Sequence, residues 1–251
     1  QPLRRPVALL VIFASYVAAD LVTGTQLWVA MGFALANMTG ALAGWQALHR
    51  HSERTLQMEG QYSALLVLYG SGVASFVSAA IGGPISAYVF DAPMVQAMVM
   101  WWSSEWMNAM IMLPFLLALP TARHCNLQRL AERWRPLALP VLAVVLFEAA
   151  SHTMGNKMGA LAFSLPALLW CALTYPILAT TLITLLVFAT KIIVASSGYM
   201  DFTPAHYIDA ATLRLGVTML ILGPLSVAGA HAARTELLKR LRRQANHDNL
   251  T

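Results

Sequence analysis

Residues 177–197 read ILATTLITLLVFATKIIVASS, an apolar run in which Lys191 is the one charged residue. A helix that crosses a bilayer needs about 20 predominantly apolar residues, and this stretch supplies them. Working outward, seven more segments meet or approach that length: 6–22, 27–48, 63–81, 93–119, 137–153, 159–175 and 211–233. Turn-forming phrases separate several of them, notably Gly82-Gly83-Pro84, Met154-Gly155-Asn156 and Ser197-Gly198. The expected fold is an all-α polytopic membrane helix bundle of about eight transmembrane helices, ending in a C-terminal cytoplasmic linker helix.

Composition agrees. Of the 251 residues, 58% are hydrophobic and only 11% charged. Soluble domains carry about a quarter charged residues, so a surface this poor in charge faces lipid. The net charge of +5 would suit nucleic acid, but its placement argues against that partner. If the N-terminus is cytoplasmic, the inner segments hold Arg4 and Arg5, Arg50 and Arg54, four arginines from Arg123 to Arg135, and five basic residues from Arg234 to Arg243. Lys157, Lys191 and Arg214 remain for the spans and the outer side. That asymmetry is the positive-inside pattern, and it places both termini in the cytoplasm. The chain opens at Gln1, so residues are expected upstream, and Arg4-Arg5 are taken to flank a retained first span rather than a signal peptide. Cys125 and Cys171 form neither a disulfide framework nor a metal cluster.

The fourth span contains WWSSEWMNAMIMLP, residues 101–114. Trp101, Glu105 and Asn108 stand at spacings of four and three, on one helix face. A carboxylate in mid-membrane is costly and faces the bundle interior or water. Glu105 is therefore a candidate for sensing a polar ligand, gating a proton or switching helix packing; the plainer alternative is a protonated or hydrogen-bonded acid tying helices together. A second set comprises Glu148 and His152, four apart in the fifth span with Asn156 after them, and Lys191 in the seventh. At about 1.5 Å per residue from the cytoplasmic ends, Glu148 and His152 lie roughly 18–24 Å deep and Lys191 about 21–24 Å. A Glu148–Lys191 pair is geometrically allowed, either as a structural ion pair or as part of a ligand site.

His49-x-His51 with Glu53, and His124-Cys125, lack the paired spacing of a zinc site and are expected to be solvated loop residues; no metal is expected. The 13 methionines are scattered through helical runs and suit core filling. Tryptophans such as Trp28 and Trp134 suit interfacial anchoring. The chain carries no catalytic motif and no cofactor-binding motif.

The fourth span resembles the bacterial membrane-associated sensor domain of type one (MASE family), whose signature is like Trp-Trp-x-x-acid-x-x-Gly-x5-Pro. Trp101, Trp102, Glu105 and Pro114 match, while Asn108 stands where the family has glycine. Looser matches are LWVAMGFALA at 27–36 and LPALLWCALTYP at 165–176; the arginine the family often carries at the end of the second is absent here. The chain closes with ARTELLKRLRRQANHDNLT, and Ala245, Asp248, Leu250 and Thr251 resemble the opening of a GGDEF domain. Leu237, Leu238, Leu241 and Ala245 give the tail an apolar stripe, too short to establish a coiled coil. Its basic face would also suit anionic lipid headgroups.

The resemblance implies the sensor and anchor of a bacterial inner-membrane diguanylate cyclase, a multi-pass homodimer. Its GGDEF domain, using GTP with Mg²⁺, would make cyclic di-GMP. Residues 1–233 would be the transmembrane sensor, 234–246 the linker helix, and 247–251 the start of the GGDEF domain. Trp101, Trp102, Glu105 and Asn108, then Glu148, His152 and Lys191, are the candidate sensing residues for an unknown signal ligand or protein partner; Leu237, Leu238 and Leu241 are the candidate relay. The alternative from another class is a secondary transporter or ligand-binding membrane protein using Glu105, Glu148 and Lys191. A membrane anchor that only places the enzyme beside a partner is a third.

Overall fold

The computed structural model describes residues 4–51, 56–119, 134–153, 158–197 and 206–248. Eight α-helices are described: α1 (Arg4–Val22), α2 (Leu27–Leu48), α3 (Ser63–Val89), α4 (Met94–Ala118), α5 (Trp134–Thr153), α6 (Leu165–Thr174), α7 (Ile177–Ser196) and α8 (Tyr207–Asp248), with a 3₁₀ segment, Met158–Ala162, ahead of α6. Each α-helix overlaps one of the eight predicted segments. By length and composition, Leu27–Leu48, Ser63–Val89, Ile177–Ala195 and Tyr207–Ala245 can cross a membrane; Pro6–Val22, Ala138–Thr153 and Gly159–Thr174 are shorter apolar segments. Helix α4 has 25 residues, but Ser103, Ser104, Glu105 and Asn108 dilute its apolar character. The fold is all-α and that of a membrane protein.

Outer faces carry side chains that water would not tolerate in such density. On α1 Val7, Leu10, Val11 and Ile12 are exposed, and on α5 Leu139, Leu142, Val145 and Leu146. Soluble monomers seldom show apolar patches of this extent, whereas lipid accepts them without penalty. Helix α1 packs on α2, and α5 on α6 and the 3₁₀ segment; α6 packs on α7. Helix α1 ends in a left-handed Gly24 (φ +86°). There the Gly24 N–H bonds to the Leu21 carbonyl at 3.0 Å and the Thr25 N–H to the Asp20 carbonyl at 3.1 Å. This closure satisfies carbonyls that a helix end otherwise leaves open.

One boundary differs from the sequence reading. Gly82-Gly83-Pro84 does not end the third span; α3 runs through it to Val89. The glycines serve contact instead of turning. A Cβ on Gly82 would overlap the Trp101 indole, and one on Gly83 would stand 2.6 Å from Met98 Cγ. Pro84 removes one helical N–H, a loss that membrane helices accommodate through neighbouring groups. At the C-terminal end, α8 continues through residue 233 to Asp248, so the last span and the tail helix are one element.

Among the described residues, those of Gln1–Arg50, Tyr69–Asn108 and Ala205–Leu215 form one compact unit. Those of His51–Leu68, Ala109–Pro204 and Gly216–Thr251 form a second. The first is built on two ladders of small residues, Gly32, Ala36, Gly40 and Gly44 on α2 and Gly70, Ala74, Ser78 and Gly82 on α3, each spaced by four. A Cβ on Gly40 would lie 2.6 Å from the Ala74 carbonyl oxygen and 2.8 Å from Ser78 Cβ. Close backbone approach through small residues is how membrane helices gain packing energy when lipid is as apolar as leucine. In the second unit α8 passes the Met58–Gly60 loop, where a Cβ on Gly229 would meet the Gly60 carbonyl oxygen at 2.7 Å.

Candidate functional site

Helix α4 presents two faces with different chemistry. Trp101 is half-buried, and its indole N–H donates to Ser78 Oγ at 2.9 Å; Ser78 Oγ in turn donates to Asn37 Oδ1 at 3.3 Å. The Trp101 ring lies 4.7 Å from that of Phe33, at 51°. One step round the helix, Trp102 and Trp106 form a second aromatic pair, with centroids 5.2 Å apart and planes at 34°. Trp106 is seated against Gly72, where a Cβ would come within 3.3 Å of the ring. Glu105 is half-buried, and no hydrogen bond or ion pair reaches its carboxylate among the described residues. Asn108 is exposed. Trp101, Glu105 and Asn108 thus run along one face that opens outward at Asn108.

The opposite face is buried at Ser103, Met107, Met110 and Ile111. Arg214 of α8 docks there. Its Nη1 donates to the Met100 carbonyl at 3.0 Å and lies 3.5 Å from both Met100 Sδ and Ser103 Oγ. A guanidinium presents five donors in a fixed fork, so it can hold a carbonyl and a hydroxyl together.

In the second unit Lys191 Nζ stands 3.0 Å from Glu148 Oε1, with side chains 7% and 18% exposed. Glu148 Oε1 nevertheless accepts no hydrogen bond of proper alignment, so the contact is a close charge pair. Either charge alone at that burial would be expensive, and the two compensate each other. His152, a turn beyond Glu148, is exposed and outside this pair. Two α7 threonines bond within the helix itself, Thr184 to the Thr180 carbonyl at 2.8 Å and Thr181 to the Leu178 carbonyl at 3.0 Å, while Thr180 also reaches the Cys171 carbonyl of α6 at 3.4 Å.

On the tail, Leu237, Leu238 and Leu241 are all exposed. Glu236 and Arg240 pair at 3.3 Å along one side of the same helix. His49 stacks on Trp45 at 5.0 Å and is held to the Gln46 carbonyl at 2.7 Å. No group of three His, Cys, Asp or Glu suited to a metal occurs among the described residues. Asn156, Glu53, Arg54, Arg123, His124, Cys125, Asn249, Leu250 and Thr251 lie outside the described residues.

Comparison with known proteins gives this geometry a family. A family model described as MASE1 matches residues 2–236. The chain belongs to the MASE1 family. It is 28% identical over 193 residues to a protein named probable diguanylate cyclase DgcF from Escherichia coli O157:H7, covering 75% of this chain and 39% of that protein. It is 30% identical over 155 residues to a protein of the same name from Escherichia coli strain K12, covering 60% and 47%. The chain thus matches less than half the length of these curated relatives. No solved structure matches it.

Within the MASE1 chain, the Trp-Trp-x-x-Glu phrase is divided between tasks. Trp101 is hydrogen-bonded and packed, Trp102 stacks on Trp106, and Glu105 is left between them. Sequence reasoning passed over Arg214, which it assigned only to a span or the outer side, and over Ser78 and Phe33. The four-residue spacing of Gly and Ser on α2 and α3 was the available signal, since it marks which faces meet and hence which side chains lie beside Trp101.

Proposed function

We propose that this chain is the membrane sensor and anchor region of a diguanylate cyclase, passing the state of its helices to a catalytic GGDEF domain beyond α8. Family membership and the names of both relatives support the reading. The observation that supports it most is the course of α8. Near its start Arg214 grips α4 at Met100 and Ser103, on the side of that helix away from Glu105, and the same helix continues without a break to Asp248. At about 1.5 Å per residue, its 42 residues extend roughly 63 Å, about twice the hydrocarbon thickness of a bilayer. In this reading α8 acts as a rod that would carry a shift at α4 beyond the membrane.

In this reading residues 1–233 form the sensor, 234–246 the linker and 247–251 the entry to the GGDEF domain. Both termini face the cytoplasm of a bacterium across its inner membrane, and the protein acts as a homodimer. The GGDEF domain would join two GTP molecules into cyclic di-GMP, with Mg²⁺ on the phosphates; that metal belongs to the catalytic domain. Trp101, Trp102, Glu105 and Asn108 form the input site, and Leu237, Leu238 and Leu241 the relay stripe. Glu148 and Lys191 are assigned a structural role, with His152 outside the input site. A signal shifts such a system only by binding one helix arrangement better than another.

The test is cyclic di-GMP formation by the full-length protein in lipid nanodiscs given GTP and Mg²⁺. Product formation by the wild type, with a changed level in Glu105→Gln, is expected. No product from folded, dimeric protein would overturn the cyclase reading and leave the transport and anchor readings.

A further inference from the structure

We propose that the Glu105 site binds a small organic cation, an alkylammonium or quaternary ammonium group held by the carboxylate and the tryptophan faces around it. The proposal rests on the reading of this face as the input site and names the chemistry of what enters it.

Glu105 is the twelfth of 25 residues in α4, so it lies about 16 Å from the helix's first residue. A carboxylate at such depth needs a compensating partner or loses its charge. Its counterparts in the other helices have partners: Lys191 has Glu148, and Arg214 has the Met100 carbonyl. Arg214 cannot serve Glu105 from where it docks. Met100 and Ser103 project roughly 140–160° round the helix from Glu105 at about 100° per residue, on the far side of α4. The described residues therefore supply a carboxyl group whose charge a bound cation would sustain, and no cation of their own to meet it.

The surroundings select the kind of cation. On the helix projection Glu105 falls between Trp101 and the Trp102–Trp106 pair. The rings are held in advance: Trp101 by Ser78 and Phe33, Trp102 by Trp106, and Trp106 by Gly72. Hard metal ions such as Ca²⁺ take six to eight oxygen ligands, and among the described residues no acidic or histidine cluster provides them. Indole faces instead attract weakly hydrated cations through the ring quadrupole, the recognition used for quaternary ammonium groups. A single carboxylate flanked by aromatic pairs suits one positive charge carried on an apolar body.

Two sources share this chemistry: a small cation from solution and the amine headgroup of a lipid. The experiment titrates tetramethylammonium chloride into the full-length protein by calorimetry, in nanodiscs of phosphatidylglycerol, which carries no amine. Sodium chloride at equal ionic strength is the control. Saturable binding is expected, weakened at least about tenfold in Glu105→Gln. Trp102→Leu, which keeps the acid, is expected to weaken it too and supplies the same readout should Glu105→Gln fail to fold. Repetition in phosphatidylethanolamine nanodiscs separates the sources: an affinity lowered by the lipid makes the headgroup the occupant, and an unchanged one makes it a solution cation.

Absence of saturable binding to folded wild type, or equal affinity in folded Glu105→Gln, would overturn the proposal. The input-site reading fails separately. It falls if Glu105→Gln leaves cyclic di-GMP output unchanged, even where tetramethylammonium binds; if that output changes while no ammonium binds, only the ligand class falls.

Discussion

Lys191 and Glu148 show what one pair of charges demands inside an apolar fold. Their 3.0 Å separation leaves each dependent on the other, so removing one strands a buried charge. Lys191→Met is expected to destabilise the protein by about 3–5 kcal/mol, while Lys191→Met combined with Glu148→Leu recovers most of that loss. Thermal unfolding in nanodiscs of the two single variants and the double variant measures it; equal losses in single and double variants would contradict the pair. The pairing was legible in the sequence because helix rise alone places both residues at one depth. The surroundings of Trp101 were not. Its bond to Ser78 joins residues 23 positions apart through a helix contact that periodicity along one helix does not reveal. Trp101→Phe removes that donor and is expected to cost about 1 kcal/mol, again read by thermal unfolding.

Among elements, the helices were legible and some of their ends were not. Long apolar runs fix where helices lie, since backbone groups in lipid have to be satisfied within the segment. Gly82-Gly83-Pro84 carries the same local signal whether it turns or packs, and the presence of Trp101 and Met98 opposite it decides for packing. The α2–α3 ladder makes a sharp comparison. Gly40→Val, forced against the Ala74 carbonyl and Ser78, is expected to cost about 1–3 kcal/mol by overpacking. Gly216→Ala, with nothing within 4 Å of its new Cβ, is expected to gain about 0.5–1 kcal/mol from helix propensity. Opposite signs in unfolding midpoints would confirm that the small residues on α2 and α3 are there for contact. Helix α8 carries the proposed relay: Arg214→Met keeps the bulk but releases the Met100 carbonyl. Cyclic di-GMP output of that variant is expected to stop responding to Glu105→Gln, and a response equal to the wild type's would remove Arg214 from the relay.

For the whole molecule, the proposed function requires that a face in the middle of a membrane govern chemistry outside it. Low charge content and long apolar runs made a membrane protein legible from the sequence alone, and the tail phrase resembled the opening of a catalytic domain. The run of the last span into the tail was legible in the apolar stripe of Leu237, Leu238 and Leu241, and the helix is continuous from Tyr207 to Asp248. Continuity has a rotational consequence. Residues inserted after Ala233 turn everything beyond them by about 100° each, whereas seven return the helix to within about 20° of its original phase. The decisive measurement is cyclic di-GMP production by full-length proteins carrying insertions of one, two, four and seven helix-forming residues after Ala233. Output that falls with the one- and two-residue insertions and returns with seven is the predicted result. Output that ignores phase, or declines steadily with insert length, would contradict a rigid α8 carrying the state of the membrane helices to the enzyme.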